Sequence, residues 1–147
     1  MPFFPIKIRF EDSSTNWQTA IRTASQSLLD EDLITENYVD KMIQNVKDLG
    51  EYILLAPNIA MPHARPEDGS NGTAISFLKL KQAVPFDSGR LVSLFIVLAT
   101  KNNEDHLELL AKVAQLIDSS EKIDQLIASK TPKDFLSLCQ LFLQEEE

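Results

Sequence analysis

Leu91-Val92-Ser93-Leu94-Phe95-Ile96-Val97-Leu98-Ala99 is apolar at every position but Ser93. A strand with one wet face alternates apolar and polar side chains, so an uninterrupted run reads as a strand covered on both faces by helices, at the centre of a sheet. The run is about half the ~20 residues that a membrane-spanning helix needs. Shorter runs of strand character surround it: Tyr52 to Ala56, Ile59 to Met61 and Thr73 to Leu80. Near the start, Ile6-Lys7-Ile8-Arg9-Phe10 alternates apolar and charged residues and predicts an edge strand with one solvated face.

Helical periodicity flanks this block of strands. Trp17, Ala20, Ile21, Ala24 and Leu28 form one stripe, and Val39, Met42, Ile43, Val46 and Leu49 a second. Thr35 suits the N-cap of the second helix, and Gly50 suits its end because a residue without Cβ adopts positive φ cheaply. After the long strand, Leu107, Leu110, Ala111, Ala114 and Ile117 predict a helix face, followed by a shorter stripe at Ile123, Leu126 and Ile127. Thr131-Pro132-Lys133-Asp134 opens a last helix with a cap, a proline tolerated at the first position and an acid in the first turn. Helices before and after a block of strands imply an α/β fold: a helix-sheet-helix sandwich with a mixed central β-sheet flanked by α-helices.

The chain has 147 residues, the size of one ordinary domain, and residues 1–147 are read as a single domain with one long internal loop, Pro62 to Gly72. A composition 44% apolar and 24% charged, without repeats, excludes collagen-like and disordered classes. The net charge of -8 disfavours nucleic acid or an anionic membrane as the main partner. The opening Met1-Pro2-Phe3-Phe4-Pro5 lacks the basic and apolar regions of a signal peptide, so a cytoplasmic location without direct membrane insertion is expected. Cys139, the single cysteine, falls in the apolar part of the last helix and reads as a core residue.

The two histidines carry the chemistry. His63 follows Ile59-Ala60-Met61 and Pro62, so its imidazole is carried at a strand end on restricted backbone. His106 ends Lys101-Asn102-Asn103-Glu104-Asp105-His106, in the first turn of the helix after the buried strand, where unpaired backbone N–H groups can receive an anion. A neutral imidazole can attack phosphorus through one ring nitrogen while the other donates a hydrogen bond that fixes its tautomer. Arg65, two residues after His63, offers a fork of donors for phosphate oxygens. Each of these residues is equally at home as an ordinary loop or surface side chain. Gly69 and Gly72 read as turn residues, and no third and fourth ligand at recognisable spacing completes a metal site around the histidines.

Ala56-Pro57-Asn58-Ile59-Ala60-Met61-Pro62-His63-Ala64-Arg65-Pro66-Glu67-Asp68-Gly69, followed by Asn102-Asn103-Glu104-Asp105-His106-Leu107 and Leu110-Ala111, resembles the enzyme IIA domain of the mannitol/fructose class of the bacterial sugar phosphotransferase system. The Pro-His-Ala-Arg-Pro-Glu-Asp-Gly segment is most similar to the ascorbate-type branch. The resemblance implies a phosphotransferase component that needs no dissociable cofactor. His63 would accept phosphate from the phosphohistidine of HPr and pass it to a cysteine of enzyme IIB, with a membrane IIC subunit downstream. His106 would stabilise the phosphoryl group. Mannitol-type relatives carry an arginine late in the second helix, where this chain has Lys47, so either Lys47 or Arg65 would supply the supporting charge. L-ascorbate is the implied solute; the regulatory, nitrogen-related type of enzyme IIA is the alternative. A homodimer stays open.

Overall fold

The structure, a computed structural model, describes residues 4 to 144, so Met1-Pro2-Phe3 of the opening segment lies outside the described residues. Among the described residues five strands and five α-helices follow in order, with one 3-10 turn (Pro66–Asp68) in the long loop: β1 (Ile6–Glu11), α1 (Trp17–Asp30), α2 (Glu36–Leu49), β2 (Leu54–Ala56), β3 (Asn58–Ala60), β4 (Ala74–Pro85), β5 (Leu91–Ala99), α3 (Asn103–Leu116), α4 (Ser120–Ala128) and α5 (Pro132–Gln144). The strands form one sheet in the order β1-β4-β5-β3-β2. β1 runs parallel to β4 and β3 parallel to β5, whereas β4–β5 and β2–β3 are antiparallel, which makes the sheet mixed. The apolar run at Leu91 thus lies centrally and Ile6 to Glu11 at an edge, as the patterning predicts.

Strand pleating divides the core in two. Ile75 and Phe77 of β4 and Leu94, Ile96 and Leu98 of β5 join Leu109, Val113, Leu126, Phe135 and Cys139 from α3–α5. Leu78 and Leu80 of β4 and Phe95, Val97 and Ala99 of β5 face the other way, against Trp17, Ile21 and Leu28 of α1 and Val39, Met42 and Val46 of α2. The two helical groups therefore cover opposite faces, the sandwich arrangement expected from the sequence. Ser93 is the one interruption of the apolar run, and its Oγ is buried with no hydrogen-bond partner among the described residues. Cys139 is buried in the α3–α5 layer, where burial pushes its thiol up to about 12.

Three expectations are corrected. The buried face of α3 is Leu109, Val113 and Leu116, while Leu107 is 67% exposed and Ala111 and Ala114 are also exposed. Both sets have helical spacing; burying Leu, Val and Leu removes more apolar area than burying Leu and two Ala, so the larger set turns inward. Leu110 and Ile117 lie half-buried at its border. β4 continues past Leu80 to Pro85: pairing with β5 is interrupted between Lys79 and Val84 and then resumes at Val84–Val92 and Pro85–Leu91. β2 and β3 keep only three residues each, with Tyr52, Ile53 and Met61 outside them.

The caps fall where the residue types place them. Thr35 accepts from the Tyr38 N–H, Gly50 ends α2 with φ 89°, and Thr131 accepts from the Asp134 N–H at 3.1 Å. The long loop is pinned to the α1–α2 connection. Thr35 N donates to Gly69 O at 2.9 Å, Asn71 N to Leu33 O at 2.8 Å, and the Asn37 amide to Asp68 O at 2.8 Å. Gly69 has φ 130°, and a Cβ there would stand 2.0 Å from Thr35 Oγ1, so no other residue fits without a shift.

Candidate functional site

Both histidines stand at the same end of the sheet. β5 delivers the chain through Thr100 to Asn102, which caps α3 by accepting from Asp105 N at 2.8 Å; His106 N donates to Asn102 O at 3.2 Å. Asp105 is bound in turn, because Thr73 at the start of β4 donates its hydroxyl to Asp105 Oδ2 at 2.6 Å. Thr100 N donates to Ser70 Oγ at 2.8 Å and Lys101 N to Thr73 Oγ1 at 3.3 Å. The start of α3, the long loop and the start of β4 are thereby sewn together, and His106 rides on that seam.

His63 leaves the end of β3 through Met61 and Pro62, both buried, and is itself half-buried. Its Nδ1 lies 3.2 Å from Met61 O. A carbonyl only accepts, so this contact selects the tautomer with the proton on Nδ1 and leaves the Nε2 lone pair as the nucleophile. The backbone is held as well: Asn45 of α2 donates from Nδ2 to His63 O at 3.1 Å. Tyr52 meets the imidazole edge-on, with ring centroids 5.2 Å apart and planes at 83°.

His106 senses His63. The pKa of His106 is lowered from its ordinary value, first by burial and second by the charge of His63, so the two rings share one electrostatic environment. His106 is therefore biased toward the neutral form, able to donate one hydrogen bond to an incoming oxygen and accept another.

The cationic candidates are placed differently. Arg65 is exposed one residue beyond Ala64; its backbone N–H donates to Asp68 Oδ2 at 3.0 Å, and its side chain has no ion pair among the described residues. Lys47 is exposed in the last turn of α2. It follows Asn45 by two positions, about 200° round the helix, so its stem leaves from the opposite flank of the buried stripe. Among the described residues, no three His, Cys, Asp or Glu side chains converge as a metal-binding group, and no helix is long and apolar enough to cross a membrane.

Sequence patterning misses Tyr38, Asn45 and Tyr52. Tyr38 sits beside the apolar stripe of α2, where only its hydroxyl hints at a second task; that hydroxyl reaches Leu98 O at 2.8 Å and lies 3.5 Å from Ala64 O. Asn45 directly follows a second amide, the exposed Gln44, and nothing in the pattern separates the two.

A half-buried imidazole whose Nδ1 lies against a carbonyl, with a second histidine at a helix start on the same end of the sheet, suits phosphoryl transfer, and known proteins of similar sequence are phosphotransferase components. The sequence profile of the family described as "Phosphoenolpyruvate-dependent sugar phosphotransferase system, EIIA 2" matches residues 1–141. The chain belongs to that family and is a phosphotransferase component. It is 33% identical over 127 residues to the mannitol-specific cryptic phosphotransferase enzyme IIA component of Escherichia coli K12, covering 86% of each chain. The solution structure of that mannitol-specific cryptic enzyme IIA superimposes with a TM-score of 0.88, over 94% of this chain and 95% of the other. The ascorbate-specific EIIA component of the same strain is 30% identical over 134 residues, covering 89% of this chain and 87% of its own. In fold alone, the chain also matches the complex of mannitol enzyme IIA with phosphorylated enzyme IIB from Escherichia coli, with a TM-score of 0.75 at 23% identity over 90% of this chain and 93% of the other.

Proposed function

We propose that residues 1–147 act as one cytoplasmic phosphocarrier domain in which His63 is the covalent relay. The Nε2 lone pair attacks the phosphorus of a phosphohistidine on HPr; the new N–P bond forms as the donor's N–P bond breaks, and the donor imidazole recovers its lone pair. The reverse geometry then delivers the group to a cysteine thiolate of enzyme IIB, whose sulfur forms the S–P bond as His63 is released. The observation that carries this reading is the Nδ1 contact to Met61 O, which leaves Nε2 as the free ring nitrogen of a half-buried histidine.

His106 stabilises the phosphoryl oxygens as a neutral donor. Arg65 supplies mobile positive charge from the exposed side of the loop, a role better suited to its position than to that of Lys47. The solute handled downstream, through a membrane IIC subunit, is L-ascorbate; the Pro-His-Ala-Arg-Pro-Glu-Asp-Gly segment and the ascorbate-specific relative support this choice, and the mannitol-specific relative supplies the competing one.

Incubation with enzyme I, HPr and phosphoenolpyruvate, followed by intact mass measurement, tests the relay. One added phosphoryl group is expected on the native chain, none on His63→Ala, and a slower gain on His106→Ala, whose phosphoprotein should also donate poorly to enzyme IIB. A label that persists in His63→Ala overturns the site. Arg65→Ala and Lys47→Ala measured side by side decide between the two cations. Transfer to the ascorbate-type IIB in preference to the mannitol-type IIB is the expected result for the solute branch.

A further inference from the structure

β4 carries Ile75, Phe77, Lys79 and Lys81 at alternate positions, so the four share one face. Ile75 and Phe77 enter the α3–α5 layer. Lys79 follows them inward and is only 8% exposed. Its ammonium lies 5.8 Å from the centroid of the Phe10 ring and donates to Leu80 O at 3.3 Å, and no ion pair reaches it among the described residues. A buried ammonium without a counter-ion is costly, and here it has found one weak carbonyl contact for three N–H groups.

Next to it opens a cavity of about 770 Å³, between the β1–β4 edge and the connection from α4 to α5, with Lys81 and Lys130 among the lining residues. Glu11 and Asp12 also line it. Glu11 is already held by Arg9 Nε at 2.7 Å, and Asp12 forms no ion pair with any of the lysines. Three lysines thus line the cavity against two acids, one of which Arg9 already neutralises, in a chain whose net charge is -8. Burial and the charge of Lys130 both lower the pKa of Lys79, as expected of a positive cluster awaiting an anion.

We infer that this cavity binds a dianionic phosphate group carried on a small metabolite, with Lys79 at its inner wall and Lys81 and Lys130 closing from the exposed side. Lysines act as point charges with three rotatable donors, which suits a phosphate whose body varies. The volume lies within the usual range of about 300–1,000 Å³ for small-molecule sites, with Phe10 as an apolar wall for a sugar-sized body. This site is separate from the proposed relay. Lys79 is five positions along β4 from Ala74, about 17 Å at ~3.4 Å per residue, and Ala74 adjoins the Thr73 that holds the His106 turn.

The test is an NMR titration of the full chain at constant ionic strength, with glucose 6-phosphate in one arm and inorganic phosphate in the other. Saturable shifts at Phe10, Lys79, Ser129 and Lys130 are expected, stronger with the sugar phosphate. Lys130→Ala, an exposed change that leaves the core intact, should weaken binding about threefold, and Lys81→Ala with Lys130→Ala about tenfold. Lys79→Met should abolish it if the variant folds. Shifts confined to His63, or undiminished affinity in the double alanine variant, overturn the site. Equal affinity for inorganic phosphate overturns the metabolite and leaves a bare phosphate site.

Discussion

The Tyr38 hydroxyl donates to the carbonyl of Leu98 at 2.8 Å, so a side chain of α2 is tied directly to the end of the central strand. The same oxygen is 3.5 Å from Ala64 O, one residue after His63. Tyr38 is 1% exposed, and burial pushes its pKa up to about 12, which keeps it a donor throughout the physiological range. One helix thus braces both the strand that leads to His106 and the loop that carries His63.

Tyr38→Phe keeps the ring in the core and removes only the brace. Urea denaturation should show a loss of about 1–2 kcal/mol, the usual worth of a buried hydrogen bond whose acceptor stays behind. Phosphoryl uptake from HPr should slow in the same variant at temperatures where it is fully folded. An unchanged denaturation midpoint would mean that the bond contributes nothing net.

His106 should titrate below the ordinary histidine value of about 6.5 in an NMR pH series. Because the charge of His63 is one of the two causes, His63→Gln should move the midpoint part of the way back up, leaving the part due to burial. The sign for stability follows. With a folded pKa below the unfolded one, the unfolded chain binds more protons between the two values, so the contribution is complete above about 6.5 and is lost as the pH falls through the folded pKa. A His106 midpoint that ignores His63→Gln would separate the two rings.

Gly69→Ala and Gly50→Ala form a matched pair, since both sites have positive φ, 130° and 89°, but only Gly69 has a neighbour in the way. Gly50→Ala should cost about 1 kcal/mol from backbone strain alone. Gly69→Ala adds the clash with Thr35 Oγ1, and should cost about 2–3 kcal/mol and loosen the loop that presents His63. Equal losses in chemical denaturation would show that the contact with Thr35 relaxes freely.

The sandwich is legible because its signals are redundant. The run at Leu91 is too apolar for a half-exposed strand, and the stripes on either side have helical spacing. The inward face of α3 is illegible for a definite reason: Ala111 and Ala114 count as apolar in a pattern but bury too little area to orient a helix against Leu109, Val113 and Leu116. The histidines stand out because the chain has only two and both fall at element boundaries. Their supports do not, because Asn45 and Tyr38 act on backbone carbonyls of residues 18 and 26 or 60 positions away, and carbonyls carry no sequence signature.

The sheet that separates Phe95 from Ile96 also works as a partition between two reservoirs of stability. The buried apolar residues of the two faces form separate clusters, so losses from trimming Phe135 and from trimming Met42 should sum, whereas losses within one face should couple through shared cavities. Damage to the layer formed by the last three helices reaches the His63 loop only through Met61, while the anchors at Tyr38 and Asn45 belong to the other side. The site draws on both reservoirs, the His63 loop on α2 and the His106 turn on α3, so neither side of the central strand can drift without the other holding its half of the chemistry in register.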